Sequence, residues 1–286
     1  MLAKDIRLLI IGAHPDDADI HAGCTAMRFA QAGAKVRMVS LTNGNKGHQT
    51  MSPDDLAKRR YLETQNAVRA FGIDSYIVCN TPDCELEPTV ERRKEVTRII
   101  REFSPHVILT HRLCDYHADH RATSQLVLDS AYLLGVPNWC PESPVPSVVP
   151  AIFYMRDGFM DSNPFRPDVV IPCDDLMRSL AKALACHESQ IFEWLPFDAK
   201  VLDRVPPADD TEARLRFIES FWAGPRRRDS ARRFREKLLS ALGKEAGEAV
   251  TYVEPLELCE YSAKPNTEAM RKLFPFVQEG LVTSIF

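Results

Sequence analysis

Short apolar runs alternate with longer segments of helical period through the first 135 residues, and few folds accommodate that alternation. The runs at 6–11, 36–41, 76–79 and 107–110 have the length and near-continuous hydrophobicity of strands covered on both faces. Helices are predicted over 23–31, 53–71, 88–103 and 119–134, with Gly33, Gly72 and Pro105 as stop signals. Helical crossovers between adjacent parallel strands are right-handed, so the pattern predicts an α/β fold with a doubly wound, mostly parallel, Rossmann-like sheet.

Beyond residue 135 the pattern loosens. Prolines at 137, 141, 144, 146 and 150 make 135–150 an extended loop. Apolar runs follow at 151–155 and 168–171, then a helical segment from 174 or 175 to about 192. A mixed region precedes a charged amphipathic helix at 230–242 and a strand at 250–260. There is no internal repeat or low-complexity tract. The expectation is one domain spanning 1–286, with 1–135 its Rossmann-like core and about 196–286 a C-terminal elaboration.

The first and fourth candidate strands end in polar clusters. "GAHPDDADIHAG", residues 12–23, places two histidines and three aspartates directly after the first apolar run. "HRLCDYHADHRAT", residues 111–123, follows the fourth run in the same way. Open α/β sheets bind ligands at the carboxyl ends of their strands, where the strand order reverses. Strands one and four can be neighbours there, so the two clusters can share a pocket. A dinucleotide site needs G-x-G-x-x-G at this place, whereas adjacent carboxylates repel phosphate and attract a cation. Imidazole and carboxylate donors without thiolate suit Zn²⁺, and also Fe²⁺, Co²⁺ or Mn²⁺. Taken singly, Asp16 or Asp17 reads equally well as a cap of the first helix and Asp119 as a cap of the fourth. Their convergence argues for a site.

The composition excludes several alternatives. A net charge of −4 gives no diffuse attraction to nucleic acid, and the basic run at 226–233 is broken by Asp229 and reads as a solvated helical face. No apolar window is long enough for a transmembrane helix, and no cleavage signal follows the first run. The eight cysteines form no C-x-x-C pair and read as reduced thiols of a cytoplasmic protein.

The pair "AHPDD" and "HADH", with "LTNGNKG" (41–47), "RYLETQNAVRAFG" (60–72), "PDCEL" (82–86), "HESQ" (187–190) and "YVEPLEL" (252–258), resembles the LmbE-like (PIG-L) family of zinc-dependent N-acetylglucosaminyl deacetylases. The resemblance implies that His14, Asp17 and His120 bind the metal and that Asp16 is the general base. It implies His117 and Asp119 as a second catalytic pair, with His117 near the carbonyl oxygen and Asp119 orienting a histidine. Arg60 falls where such enzymes place a substrate-binding arginine, and Asp83 joins the same pocket. The chain departs from many relatives at Ala118, where a proline is common, and at Tyr116, where several carry an arginine. Neither is a ligand.

The implied reaction converts an N-acetylated amino-sugar conjugate to acetate and a free amino sugar. Bound zinc brings the pKa of its water to about 7 and polarises the amide carbonyl. Asp16 takes the proton, and protonated His117 stabilises the developing oxyanion, a contribution of about 3 to 4 kcal/mol. Either Asp16 or His117 protonates the leaving amine. Hydrolysis of another N-acyl amide and a non-catalytic sugar-binding role are the competing readings, and a homo-oligomer is compatible with all of them. Within the first cluster, Asp19 reads as support or surface and His21 as structural.

Overall fold

Each of the four apolar runs forms a strand, and the neighbouring helices cover both faces of the resulting sheet. The computed structural model describes residues 3–160 and 163–286. Its elements run β1 (Arg7–Gly12), α1 (Asp17–Gln31), β2 (Lys35–Thr42), α2 (Pro53–Phe71), β3 (Ser75–Thr81), α3 (Val90–Phe103), β4 (Val107–Thr110) and α4 (Ala118–Leu133). There follow β5 (Ala151–Met155), β6 (Val169–Pro172), α5 (Met177–Leu184), α6 (Leu195–Asp198), α7 (Thr211–Ile218), α8 (Gly224–Arg233), α9 (Arg235–Leu242), α10 (Lys244–Ala249), β7 (Val253–Leu258) and α11 (Thr267–Leu273).

Strand β1 shows why the apolar runs are continuous. Leu8 and Ile10 pack into one layer with Met27 and Phe29 of α1 and Leu180 of α5. Leu9 and Ile11 pack into the opposite layer with Val96 and Ile100 of α3 and Leu126 of α4. Successive side chains point to opposite faces, so a strand covered on both sides must be apolar at every position. Each such Leu or Ile contributes roughly 1.5–3 kcal/mol on burial.

The sheet order is β3-β2-β1-β4-β5-β7-β6. Strand β1 pairs in parallel with both β2 and β4, and β4 pairs in parallel with β5. The chain winds outward through β2 and β3 and returns to the other side of β1, so the ends of β1 and β4 lie side by side, as the sequence pattern implied. This is the switch point. Strand β7 is antiparallel to both β5 and β6 and separates them, so the 196–286 segment contributes an interior strand to the same sheet. No helix among the described residues is long and apolar enough to cross a membrane.

Several boundaries differ from the sequence expectation. Helix α1 begins at Asp17 rather than at residue 23, and its helical geometry is interrupted at Ala22 (φ −136°, ψ 20°), next to the expected start. Apolar period marks only the part beyond this kink, while the first turn is built from functional residues. The expected continuous helix to 192 breaks after α5. There His187 turns inward to Asp19 (2.8 Å), and the Ser189 N–H donates to Glu63 (2.8 Å). The 230–242 helix is two helices meeting at Phe234, and the 250–260 strand is shorter at both ends.

The basic run is a solvated face at Arg226, Arg228, Arg232 and Arg233, as expected, and departs from it at one arginine. Arg227 is buried, with its guanidinium on Glu254 and on the Ile20 and Ala223 carbonyls. Arg228 and Arg232 stay exposed. Local sequence gave no sign that Glu254, on β7, would lie beneath this helix.

Candidate metal centre

The turn after β1 is held in one shape by its own residues and by β2. Ser40 and Thr42 hydroxyls donate to the Ala13 carbonyl (3.0 and 2.8 Å). Asp17 Oδ2 accepts from the Ala13 and His14 backbone N–H groups (2.9 and 2.7 Å). Gly12 permits this closeness, because a Cβ there would sit 2.6 Å from Asp17 Cβ. The side chain of Asp17 thereby becomes a fixed part of the turn.

Three groups converge above it. His14 Nδ1 lies 3.3 Å from Asp17 Oδ2, His120 Nε2 lies 3.4 Å from Asp17 Oδ1, and the two histidine nitrogens are 3.3 Å apart. Tetrahedral ligands at the usual zinc distances of about 2.0–2.1 Å stand about 3.3–3.4 Å from one another. These contacts engage both Asp17 oxygens. With one ligand atom per residue, the groups that converge within 4.8 Å among the described residues are His14, His117 and His120; Asp17, His111 and His120; His14, Asp83 and Asp119; and Asp83, Cys84 and His117. This mixture, chiefly of imidazole and carboxylate, suits a small divalent cation. Each histidine also rests its second nitrogen on a carboxylate: His120 Nδ1 on Asp115 (3.1 Å), and His14 Nε2 on Asp83 (3.2 Å) and Asp119 (3.3 Å). Such partners set the orientation of metal-binding imidazoles. Burial pulls both histidines down, but Asp17 and the surrounding carboxylates hold them above their ordinary pKa. The cluster is thus rich in negative charge and balances it with protons, which a divalent cation would displace.

The other expected residues fall into clear positions. Asp16 points Oδ1 at Arg60 Nη2 (2.9 Å), and burial, reinforced by Asp17 and opposed by Arg60, raises its carboxyl above the usual range. Arg60 is buried and also donates to the Gly44 carbonyl (3.1 Å), so it holds Asp16 in place rather than offering a free cation to a substrate. Gly44 has φ +65°, and a Cβ there would meet the Arg60 guanidinium at 2.4 Å. Asp83 likewise belongs behind His14: burial works against its charge, but His14 holds it well below the usual carboxylate range. Asp119 touches His14 as well, and accepts from the Cys84 and Leu86 N–H groups (2.7 and 3.3 Å), tying α4 to the segment after β3.

His117 caps α4, its Nδ1 accepting from the Asp119 N–H at 3.1 Å. An accepting Nδ1 places the ring proton on Nε2. Burial, with His14 and His120 nearby, lowers its pKa. The capping contact thus leaves Nε2 as the free ring position of His117.

Two residues of the second cluster were given no role from sequence. His111, at the end of β4, stacks on His120 with ring centroids 4.1 Å apart and brings Nε2 to 3.3 Å from Asp17. Asp115 is the partner of His120. Both lie in the stretch whose composition already marked it, but only the sheet order reveals what they face. Asp19, fully buried, accepts from Tyr76 (3.0 Å) and pairs with His187, and His21 turns toward Arg226.

The cluster forms the floor of a cavity of about 560 Å³. Its outer wall carries Tyr116, Phe159, Trp194, Phe221 and Trp222. Trp194 comes from a π-helical turn at Ser189–Trp194, and Phe221 and Trp222 from a second at Glu219–Ala223. The extra residue in such turns shifts side chains off the regular helical face, a device common at functional sites. Flat aromatic faces beside a hydrolytic donor cluster suit stacking against an amphipathic ring.

A doubly wound sheet with a histidine and carboxylate cluster at its switch point defines an α/β protein with a candidate metal site. More specifically, the PIG-L family model, described as GlcNAc-PI de-N-acetylase, matches residues 9–131. It is 28% identical over 201 residues to a diacetylchitobiose deacetylase from Thermococcus kodakarensis, covering 67% of this chain and 74% of that one. A 1D-myo-inositol 2-acetamido-2-deoxy-alpha-D-glucopyranoside deacetylase from Kineococcus radiotolerans is 36% identical over 83 residues, 27% of this chain and 23% of its own length. Among solved structures, an N,N'-diacetylchitobiose deacetylase from Pyrococcus horikoshii superposes with TM-score 0.66 at 24% identity, over 89% of this chain and 84% of that one. A 4-carboxy-2-hydroxymuconate hydratase from Pseudomonas putida reaches the same TM-score at 15% identity, over 91% of this chain and 97% of that one. The fold therefore does not choose the reaction; the site must.

Proposed function

We propose that this chain is a metal-dependent N-deacetylase that releases acetate from an N-acetylglucosaminyl-type substrate and leaves a free amino sugar. The observation that carries the reading is the cluster in which the side chains of His14, Asp17 and His120 approach one another pairwise at 3.3–3.4 Å, with Asp16 beside it, buried and held by Arg60. The relatives' acetamido-sugar substrates support the choice of reaction. The unit is taken as residues 1–286, since β7 completes the sheet from the C-terminal segment.

His14, Asp17 and His120 are the proposed ligands, with zinc as the metal and Fe²⁺ as the competitor. A cation held there would act as a Lewis acid toward the acetamide carbonyl and make water acidic enough to attack near neutral pH. The chain's own residues divide the remaining work. Arg60 holds one oxygen of Asp16 and leaves the other to accept the proton of the attacking water. The raised pKa of Asp16 then suits it to return that proton to the departing amine. His117 lines the cavity with Nδ1 engaged by the Asp119 N–H, which leaves its Nε2–H as the group that would donate to the oxygen on which negative charge develops. The aromatic wall orients the sugar and excludes water from the floor. All eight cysteines are free, which suits a reducing cytoplasm.

The test is acetate and amine release from a panel of N-acetylglucosaminides by zinc-loaded protein. Turnover that vanishes on chelation and returns with added metal is the expected result. Failure to hydrolyse any acetamide while holding a full equivalent of metal would exclude the reaction.

A further inference from the structure

Three cationic side chains of lysine and arginine line the cavity, and two are neutralised. Lys46 pairs with Glu85 (2.5 Å) and Arg60 with Asp16 (2.9 Å). The third, Arg226, stands in the first turn of α8, and among the described residues no carboxylate lies within ion-pair distance of it. Its guanidinium meets only the ring nitrogens of His21. The adjacent arginines have other partners: Arg227 is on Glu254, and Arg228 is on the Tyr252 hydroxyl (2.8 Å). Asp17 and Asp157 act on Arg226 from beyond ion-pair distance, and Asp157 is itself paired with Arg112 (3.1 Å).

The place of Arg226 is informative. His21 presents its ring edge to His111 at 5.8 Å, and His111 in turn touches Asp17. The free guanidinium is thus two imidazole rings away from the metal-site carboxylate, on the wall that a bound substrate must pass. Desolvation, with Arg227 and Arg156 nearby, pushes it down to about 10, which leaves it charged at neutral pH. Burial and Arg226 together push His21 well down, so the ring accepts from the guanidinium as a neutral base. The Arg226 side chain is exposed and makes no ion pair among the described residues, so its donors are open to an arriving anion, and hydrogen bonds between a guanidinium and a carboxylate or phosphate are among the stronger ones.

We infer that Arg226, steadied by His21, is an anion-recognising end of the substrate cavity, and that the physiological acetamido substrate carries a carboxylate or phosphate close to the scissile amide. This rests on the deacetylase reading and adds to it the charge class of the substrate. It also separates this chain from a site built only for neutral sugars, because Arg226 lies outside the 9–131 family match.

The test compares kcat/KM of zinc-loaded full-length protein for N-acetylglucosamine 6-phosphate, N-acetylmuramic acid and neutral N,N'-diacetylchitobiose, in wild type, Arg226→Gln and Arg226→Lys. The wild type should prefer an acidic substrate; the phosphate arm winning assigns a phosphate, the muramic arm a carboxylate. In Arg226→Gln the acidic-to-neutral ratio should fall about 10- to 100-fold, mainly through KM, and Arg226→Lys should recover part of it. An equal loss on all three substrates would make Arg226 a balance for the site's own charges and overturn the inference, as would a wild type without acidic preference. If no substrate is turned over, the deacetylase reading fails. Calorimetric titration with glucose 6-phosphate then judges the anion site separately: binding weakened in Arg226→Gln sustains it, and equal or absent binding overturns it.

Discussion

The floor and the outer wall of the cavity are built on different principles. The floor comes from residues 12–17 and 111–120, two turns at adjacent strand ends in which nearly every polar group has a partner. The wall comes mostly from 189–226, where helical segments with π turns carry Trp194, Phe221, Trp222 and Arg226. The floor is dense in short charged contacts, so each residue depends on its neighbours. The wall presents larger, looser groups that can be exchanged without undoing the sheet. Chemistry is thereby concentrated in a few consecutive positions, and selectivity is spread over the part of the chain that the family model leaves unmatched.

This contrast is open to direct attack, beginning at the floor. Asp17→Ala removes both a ligand and the acceptor for two backbone N–H groups, so bound metal by mass spectrometry and turnover should both drop to background. Metal retained at one equivalent would move the ligand role to His111. Asp16→Asn should keep the metal and lower kcat about 10²- to 10⁴-fold. If metal is lost as well, the roles of the two aspartates are reversed.

Arg60→Ala leaves Asp16 buried without its partner, and a misplaced base should lower kcat by about 10²-fold with little change in KM. A pure KM effect would return Arg60 to direct substrate contact. At the wall, Trp194→Ala should raise KM only about 3- to 10-fold through lost ring contact, with kcat preserved. A kcat loss equal to that of Arg60→Ala would erase the distinction between floor and wall.

The smallest effect concerns stability. Metal at about 100 times its Kd adds about 2.7 kcal/mol to a site that binds only the folded state, or about 5 to 8 °C in Tm by calorimetry. No shift on chelation would mean that the cluster does not hold the ion.

Much of the floor was legible from residues alone. Strand ends followed by His and Asp clusters located it, and 53–71 and 107–110 coincide with α2 and β4. Where the sequence pattern misled, polar residues had been recruited into structure. The start of α1 was displaced because its first turn is spent on Asp17 and Asp19, and the kink at Ala22 hides the period. Within the basic run only the burial of Arg227 escaped notice, because its partner Glu254 lies 27 residues further on. For Arg60 and Asp83, which the family resemblance put in the substrate pocket and which do line the cavity, nothing local shows that their charges are also engaged by Asp16 and His14.

By itself the sequence determined the layered α/β architecture and the kinds of donor at two strand ends, because backbone period and side-chain chemistry are properties of neighbouring residues. Only the tertiary structure decided which of those groups face one another, which are already neutralised and which, like Arg226, remain to be met. Those outcomes depend on the strand order and on β7 entering between β5 and β6, and pairings across 100 or 200 residues leave no trace in local pattern.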